Sequence, residues 1–311
     1  MYNILCTTPI KHLNDVYDEL KKYGKVSYFP SINKKNLIKK LENSNYDVLF
    51  VNPNKQGYKI DESILKNASI KIINTCSTGT DHIDISYCKA NNIKVYSLTN
   101  DKTLIKKLPS TSELAFGLMI SLLRHIPMAN ESVKKYNWNY LPFVGRQIKN
   151  LNICVVGYGR LGKIFTKQLS GFHCNIYVVD PNIKKCKFKL IKLNKAIKLA
   201  DVLVLHLHLN NENRNLINKN NLKLFKKSAI IVNTSRGGIV EENELIRSIR
   251  KKKLAGYATD VLNDELGDIR ENPVIKGLRE GLPVIITPHI GGMTIEGQRK
   301  AFIHAARKLK K

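Results

Sequence analysis

The sequence predicts an α/β protein with two doubly wound parallel-sheet domains, for three reasons. Short apolar runs alternate with amphipathic stretches along the whole chain, which is the pattern of βαβ units. The chain has 311 residues, more than one ordinary domain core requires. Hydrophobic residues make up 43% and charged residues 25%, close to the average of globular proteins. Together these observations exclude a disordered chain and favour two folded domains.

The first third of the chain contains short apolar runs that we interpret as the strands of one open parallel sheet. Amphipathic stretches at 14–23 and 34–42 lie between the first runs and are opened or closed by Asn, Gly or Pro, which predicts helices there. The predicted strands are 2–8, 25–29, 47–52, 70–75 and 93–97.

A long helix from Ser110 to Lys135 is predicted next. Ser110 is a candidate N-cap, and Glu113, three residues later, would complete a capping box ahead of an apolar run. Pro127 should kink or break the helix. Trp138, the only tryptophan, is expected to anchor the connection into the second domain.

Further apolar runs rich in Val, Ile and Leu predict a second parallel sheet, buried on both faces. A last helix is expected after Pro288. The predicted strands are 151–157, 174–179, 201–207, 228–233, 255–260 and 283–287.

The charge balance is strongly basic, with 52 Lys+Arg against 25 Asp+Glu and a net charge of +27. The excess is spread along the chain as lysine pairs, and aromatic residues do not alternate with the basic ones as a single-strand nucleic-acid binder needs. We therefore interpret the charge as a compositional bias, and nucleic-acid binding stays the less favoured alternative. The positive field should attract small anions.

A cytoplasmic location with no membrane contact is predicted from two absences. The longest apolar stretch, Leu114 to Leu123, is about half the length of a spanning helix. The start MYNILCTTPIKHL lacks the features of a signal peptide. The 6 cysteines form no CxxC pair and no Cys/His cluster with zinc spacing, so we predict no metal site and free thiols in a reducing compartment.

The segment LNICVVGYGRLGKIF indicates a dinucleotide-binding turn. Gly157, Gly159 and Gly162 have the GxGxxG spacing between a predicted strand and a predicted helix. Asp180 ends the next strand, 18 residues after Gly162, where a carboxylate accepts hydrogen bonds from ribose hydroxyls and repels a 2′-phosphate. This arrangement predicts NAD as the cofactor and favours it over NADP. An ordinary tight turn is the structural alternative.

Three ionisable residues, Arg236, Glu265 and His289, follow predicted strands of the second domain, where ligands collect in wound sheets. A guanidinium can hold a carboxylate bidentately and polarise a carbonyl. An imidazole can give and take the proton that accompanies hydride transfer, and a neighbouring carboxylate fixes its tautomer. An oxidoreductase acting on a 2-hydroxy or 2-oxo acid needs this set. Taken singly, each residue also has a structural interpretation, as a loop cap, a surface acid or a core histidine.

Five segments in order resemble the D-isomer-specific 2-hydroxyacid dehydrogenases, most closely the branch of phosphoglycerate dehydrogenases and glyoxylate/hydroxypyruvate reductases. The resemblance covers nearly the whole chain. The segments are STGTDHIDIS (77–86), STSELAFGLMISLLRHIP (110–127), VVGYGRLGK (155–163), NTSRGGIVEENELI (233–246) and TPHIGG (287–292).

The resemblance implies a Rossmann NAD-binding domain at 101–288, inserted into a flavodoxin-like substrate domain made of 1–100 and 289–311. It implies hydride transfer between nicotinamide and a small D-2-hydroxy acid or its 2-oxo acid, of the phosphoglycerate, glycerate/hydroxypyruvate or glycolate/glyoxylate type, bound between the domains. It also implies a homodimer whose interface includes the helix from Ser110. The alternative function is an NAD(H)-sensing regulatory protein on the same fold.

Residue by residue, the resemblance implies that Arg236 binds the substrate carboxylate, Glu265 pairs with the histidine, and His289 is the acid/base. Thr78 and Gly79 would help to cradle the substrate carboxylate. The implied cofactor contacts are Thr111, Gly157, Gly159, Arg160, Leu161, Gly162, Asp180, Thr234, Ser235, Asp260, Gly291 and Gly292.

Two departures from the family pattern matter for the site. Leu266 stands where many members carry proline, which leaves the loop around Glu265 less defined. Thr75 stands where some phosphoglycerate dehydrogenases carry a phosphate-binding arginine. We expect no C-terminal regulatory domain, since the sequence stops at Lys311.

Overall fold

The structure, a computed structural model, describes residues 1–52 and 57–310 and divides into two compact units. The first unit is Met1–Leu108 with Met293–Lys311, and the second is Pro109–Gly292. The bounds predicted for the inserted domain were 101 and 288. The first bound lies later because the turn at Lys102–Ile105 packs its apolar side chains on the core of the first unit.

The strands within the described residues alternate with helices, as the sequence predicts for βαβ units. In chain order the strands are β1 (Tyr2–Cys6), β2 (Gly24–Tyr28), β3 (Val48–Val51), β4 (Ile72–Thr75), β5 (Lys94–Tyr96), β6 (Asn152–Val156), β7 (Asn175–Val179), β8 (Lys189–Leu190), β9 (Val202–Leu205), β10 (Ile230–Asn233), β11 (Gly256–Thr259) and β12 (Val284–Ile286).

The α-helices of the described residues vary in length from single turns to more than three turns. In chain order they are α1 (Asn14–Lys21), α2 (Lys34–Glu42), α3 (Glu62–Leu65), α4 (Ile85–Ala90), α5 (Lys102–Ile105), α6 (Ser110–Leu123), α7 (Ile126–Lys134), α8 (Arg160–Leu169), α9 (Leu193–Leu199), α10 (Lys219–Leu222), α11 (Glu242–Arg250), α12 (Pro273–Arg279) and α13 (Ile295–Arg307). Short 3₁₀ helices lie at Leu141–Phe143, Ser170–Phe172, Gly237–Ile239 and Ile269–Glu271.

The first unit contains a parallel sheet with the order β2-β1-β3-β4-β5 in the described residues. This is the flavodoxin-like order. Apolar clusters cover both faces of the sheet. Helix α13, near the C-terminus, belongs to this unit and packs beside α1. Arg307 of α13 pairs there with Glu19 of α1 at 3.0 Å. Asn74 Nδ2 also donates to the Ala305 carbonyl oxygen at 2.7 Å.

The second unit contains a parallel sheet with the order β12-β11-β10-β9-β6-β7-β8 in the described residues. The strand order reverses between β6 and β9, which creates the switch point where dinucleotides bind in wound sheets. Strands β9, β10 and β11 are buried at every position, as their apolar sequences predict. The fold class predicted from the sequence is confirmed. The sequence missed β8, a two-residue edge strand without an apolar run.

The predicted long helix is two helices, and its predicted cap is wrong. Pro109, not Ser110, occupies the N-cap position, and its carbonyl oxygen accepts from the N–H groups of Ser112 and Glu113. Helix α6 ends at Leu123, and α7 begins at Ile126 with Pro127 in its first turn. Proline fits there because the first turn has no intrahelical partner for its missing N–H. The predicted break is therefore confirmed.

Trp138 does not anchor a connection within the chain, contrary to expectation, because 86% of its side chain is exposed. Its neighbours Tyr136 and Tyr140 are also exposed. A separate finding concerns membranes: within the described residues, no helix combines the length and the apolar character needed to span a bilayer.

Candidate active site

The glycine-rich turn between β6 and α8 has a different steric demand at each of its three glycines. Gly157 has φ +93°, and a Cβ there would lie 2.3 Å from the His206 carbonyl oxygen. A Cβ on Gly162 would lie 2.1 Å from the Gly157 carbonyl oxygen. A Cβ on Gly159 would meet no atom within 4 Å. Gly157 and Gly162 therefore permit close packing, while Gly159 leaves open space in front of the helix N-terminus.

Asp180 lies at the end of β7 and is tied to this turn by its carboxylate. One oxygen accepts from the Tyr158 N–H at 2.8 Å, and the other accepts from the Asn182 N–H at 2.9 Å. The two bonds fix the carboxylate beside the glycine turn. Arg160 and Leu161 form the first turn of α8, and burial lowers the pKa of the Arg160 guanidinium.

Asp260, at the end of β11, holds the turn that contains His289. Its carboxylate is 2% exposed and accepts from the Thr287 hydroxyl at 2.5 Å and from the N–H groups of Ile290 and Gly291, both at 2.8 Å. Burial raises the pKa of Asp260 despite these bonds. His289 has φ +54°, an uncommon conformation for a side chain other than glycine. Asp260 thus accepts from a side chain before His289 and from two backbone N–H groups after it, which holds this turn in place.

Glu265 and His289 are joined by a hydrogen bond. Glu265 Oε1 lies 2.7 Å from His289 Nδ1, and the two side chains are 34% and 28% exposed. The bond engages Nδ1, so Nε2 is the nitrogen that can exchange a proton with a bound substrate. The departure at Leu266 does not separate this pair.

Arg236 follows β10, the strand next to β11 in the sheet. Its Nη1 donates to the Ser235 carbonyl oxygen at 2.8 Å. The next residue, Gly237, packs directly on the loop that leads to Glu265, because a Cβ on it would lie 1.9 Å from the carbonyl carbon of Leu262. Arg236, Glu265 and His289 thus follow the three adjacent strands β10, β11 and β12. They lie at the edge of the sheet that the carboxyl ends of its parallel strands form.

Thr234 and Ser235, two predicted cofactor contacts near this edge, differ in the hydrogen bonding of their hydroxyls. The Thr234 hydroxyl is buried, and no described residue is a hydrogen-bond partner for it. A buried polar atom of this kind fits a ligand that brings its own hydrogen-bonding group. The Ser235 hydroxyl donates to the Leu205 carbonyl oxygen at 2.7 Å and accepts from the Leu207 N–H at 3.0 Å. Ser235 therefore joins the ends of β9 and β10.

Thr111 belongs to the same region of the second unit. A Cβ on Gly291 would lie 3.2 Å from the Thr111 hydroxyl and 3.0 Å from Asp260 Oδ2, so the three residues are neighbours. A Cβ on Gly292 would meet nothing within 4 Å. The turn from His289 to Gly292 is thus packed on one side and open on the other.

The predicted substrate residues Thr78 and Gly79 lie in the first unit, in the loop after β4. Their carbonyl oxygens accept from the Thr99 hydroxyl at 2.5 Å and from the Ser77 hydroxyl at 2.6 Å. Thr75 is fully buried, with its hydroxyl 2.8 Å from Ser77 Oγ and 3.1 Å from His82 Nε2. Thr75 therefore serves the internal structure of this loop.

Two ionisable residues near these loops have buried polar atoms, and sequence reasoning missed the first of them, Glu242. Glu242 is 6% exposed and lies at the start of α11. His206 follows β9, and neither of its ring nitrogens has a hydrogen-bond partner among the described residues. In the sequence, each of these two residues is marked only by its position, after a predicted strand or at the start of a helix. That position does not distinguish a buried side chain from an exposed one.

Comparison with known proteins defines the class. Residues 116–291 match the family described as D-isomer specific 2-hydroxyacid dehydrogenase, NAD binding domain. This match lies within the second unit, Pro109–Gly292, and includes the glycine turn. The chain belongs to the D-isomer specific 2-hydroxyacid dehydrogenase family, and its second unit is the family's NAD-binding domain. The predicted family and the predicted cofactor are confirmed.

Two relatives show which members of the family the chain is similar to. It is 31% identical to the D-3-phosphoglycerate dehydrogenase of Methanocaldococcus jannaschii, over 100% of this chain and 57% of that protein. It is 30% identical to the hydroxypyruvate reductase of Thermotoga maritima, over 85% of this chain and 83% of that protein. The chain spans about half the length of the phosphoglycerate dehydrogenases that it matches.

Solved structures support the fold. The D-lactate dehydrogenase of Aquifex aeolicus, complexed with NAD and lactic acid, matches with a TM-score of 0.79 and 23% identity, over 99% of this chain and 94% of that one. The pyruvate reductase of Chlamydomonas reinhardtii matches with a TM-score of 0.82 and 22% identity, over 98% and 94%. At these identities the likeness concerns the fold alone.

Proposed function

We propose that the protein is an oxidoreductase that uses NAD to interconvert a small D-2-hydroxy acid and its 2-oxo acid. The substrate is of the phosphoglycerate, glycerate/hydroxypyruvate or glycolate/glyoxylate type. The observation that carries the proposal is the 2.7 Å bond between Glu265 and His289 in a turn that Asp260 holds. The relatives named above are a dehydrogenase and a reductase of such acids, and they lend no support to the NAD(H)-sensing alternative.

Each residue of the site has a chemical task in this proposal. NAD, when bound, supplies the hydride acceptor, or the donor in its reduced form. His289 gives a proton from Nε2 to the carbonyl oxygen during reduction and takes it back during oxidation. Glu265 keeps the ring oriented through Nδ1 and stabilises the imidazolium. Arg236 binds the substrate carboxylate and polarises the carbonyl.

The cofactor residues carry over as part of the same proposal. The glycine turn with Arg160 and Leu161 holds the pyrophosphate at the start of α8. Asp180 accepts hydrogen bonds from the ribose, since each carboxylate oxygen has a second lone pair. Thr111, Thr234, Ser235, Asp260 and the turn at Gly291 and Gly292 form the nicotinamide side. Thr78 and Gly79 remain proposed substrate contacts of the first unit.

A panel of 2-oxo acids with NADH tests the proposal. We expect NADH oxidation with at least one of glyoxylate, hydroxypyruvate, pyruvate and 3-phosphohydroxypyruvate, and a higher KM for NADPH because Asp180 repels a 2′-phosphate. His289→Ala should lower kcat by about 10²- to 10⁴-fold and leave the affinity for NADH nearly unchanged. The matched control is His173→Asn, an exposed histidine whose left-handed backbone asparagine tolerates. Full turnover by His289→Ala would refute the role of His289.

The assembly and the location are also proposals. An exposed apolar segment, containing Tyr136, Trp138, Tyr140, Leu141 and Val144, follows α7. Exposed apolar patches of this kind support an interface, and we propose a homodimer. The mass of the protein in solution tests this directly. We propose a cytoplasmic location because all six cysteines are free thiols, as expected in a reducing compartment.

A further inference from the structure

We propose that Glu242 is a positioning residue that ties the loop carrying Glu265 to the segment that follows Arg236. The inference rests on the proposed function, because the role of Glu242 is to keep Glu265 within hydrogen-bond distance of His289. Among the described residues, the hydrogen bonds of the Glu242 carboxylate go to Asn263 and Asn272, and not to His289 or the glycine turn.

The carboxylate of Glu242 binds both ends of one loop segment. Its Oε1 accepts from the Asn263 N–H at 2.8 Å, and its Oε2 accepts from Asn272 Nδ2 at 2.7 Å. Glu265 lies between these two residues in sequence, two positions after Asn263. The loop carrying Glu265 is thus fastened on both sides by one side chain of α11.

In the hydrogen bond between Asn272 and Glu242, Asn272 can only be the donor. Asn272 Oδ1 already accepts from the Val274 N–H at 2.8 Å, as the N-cap of α12. The amide therefore has to present Nδ2 to Glu242, and the atom opposite must be an acceptor. Asn263 also presents a donor. A carboxylate offers two acceptor oxygens and matches both donors, whereas a glutamine would set one NH₂ group against another.

Burial of the carboxylate has a free-energy cost that the loop bonds offset. Glu242 is 6% exposed, and burial raises its pKa, with the negative charge of Glu265 acting in the same direction. A neutral side chain would fill the position without the cost of burying a charge. The carboxylate is therefore explained by its two hydrogen bonds.

The segment after Arg236 reaches the same loop by steric contact. Gly237 packs so closely that a Cβ would lie 2.0 Å from the Asn263 nitrogen and 1.9 Å from the Leu262 carbonyl carbon. Five residues later, Glu242 bonds to that same Asn263 nitrogen. One stretch of chain thus carries Arg236, the close contact and the carboxylate clamp, and so couples Arg236 to Glu265.

A polarity swap tests this clamp. Glu242→Gln keeps the volume but places a donor against Asn272 Nδ2, so we expect kcat to fall by about 10- to 100-fold with little change in the KM for NADH. In the double variant Glu242→Gln/Asn272→Asp, the glutamine NH₂ group can donate to the new carboxylate, which also still caps α12. The double variant should therefore recover most of kcat. Asn272→Asp alone sets two carboxylates together and should lower kcat as well. The matched control is Glu280→Gln, which breaks an exposed ion pair with Arg250.

Hydrogen exchange of the amides in 261–272 gives a readout that needs no activity. We expect faster exchange in Glu242→Gln and recovery in the double variant, while the rest of α11 stays protected. Folded Glu242→Gln protein with unchanged kcat and exchange would overturn the inference, as would a double variant no better than the single one. If Glu242→Gln does not fold, Asn272→Asp provides the same comparison. If wild-type protein oxidises NADH with none of the acids, the proposed function fails, whereas the exchange result still decides whether Glu242 positions the loop.

Discussion

The glycine turn and the edge with Glu265 and His289 differ in what mainly sets their geometry. In the glycine turn, the absence of side chains lets backbone atoms approach, as at Gly157 and Gly162. At the edge with Glu265 and His289, buried carboxylates of Asp260 and Glu242 hold the backbone by accepting several N–H groups. The first device needs residues without side chains at fixed positions, and the second needs buried acceptors for backbone N–H groups. Substitutions should therefore affect the two regions in different ways.

The largest expected effect separates two glycines of the same turn. Gly162→Ala places a Cβ 2.1 Å from backbone, so the protein should lose several kcal/mol of stability or fail to fold. Gly159→Ala meets open space, so it should keep its Tm while the added methyl group crowds the pyrophosphate and weakens NADH binding about tenfold or more. Thermal melts and NADH titrations of both variants measure this. Equal losses of stability in the two would contradict the steric account.

The next effect concerns the carboxylate that holds the His289 turn. Asp260→Asn keeps one acceptor oxygen but sets an NH₂ group against the Gly291 N–H, so the turn should loosen and kcat should fall by about tenfold. Stability should change by only about 1 to 2 kcal/mol, because the variant no longer buries a charge. Steady-state kinetics and urea unfolding measure the two quantities. Asp18→Asn, which breaks an exposed ion pair with Lys21 in the first unit, is the control and should change neither quantity.

Local patterns in the sequence predicted the strands, the glycine turn and the break before Pro127. The parallel pairing in each sheet followed from alternating runs of strand and helix, whereas the flavodoxin-like and Rossmann arrangements came from the family resemblance. The cap at Ser110 was mispredicted because Pro109, one residue earlier, takes the N-cap position. Strand β8 was missed because a two-residue edge strand leaves no periodic signal.

The site was predictable only in part, for a physical reason. Arg236, Glu265 and His289 could be placed after neighbouring strands, but the pairing of Glu265 with His289 came from the family resemblance. The three bonds of Asp260 and the two of Glu242 join residues 21 to 31 positions apart, which no periodicity reports. The hydrogen bonding of the buried Thr75 hydroxyl likewise depends on a tertiary contact with His82, which the sequence does not reveal.

A third effect lies beside the glycine turn, at His206, whose two ring nitrogens are buried. The ring of His206 packs 5.2 Å from that of Phe165, and burial, with the charge of Arg160, lowers the pKa of His206 to about 3. In the unfolded chain this pKa is about 6.5. As the pH falls below that value, the unfolded state takes up a proton that the folded state does not, so the free energy of unfolding decreases. The contribution is complete above about pH 7, and about 2 kcal/mol of it is lost at pH 5.

His206→Phe removes this titration and fills a similar volume, so its loss of stability between pH 7 and pH 5 should be about 2 kcal/mol smaller than that of the wild type. Urea unfolding of both proteins at the two pH values measures the difference. Carboxylates elsewhere titrate equally in both proteins and cancel. The same slope in His206→Phe and wild type would mean that His206 is hydrated or protonated in the folded state.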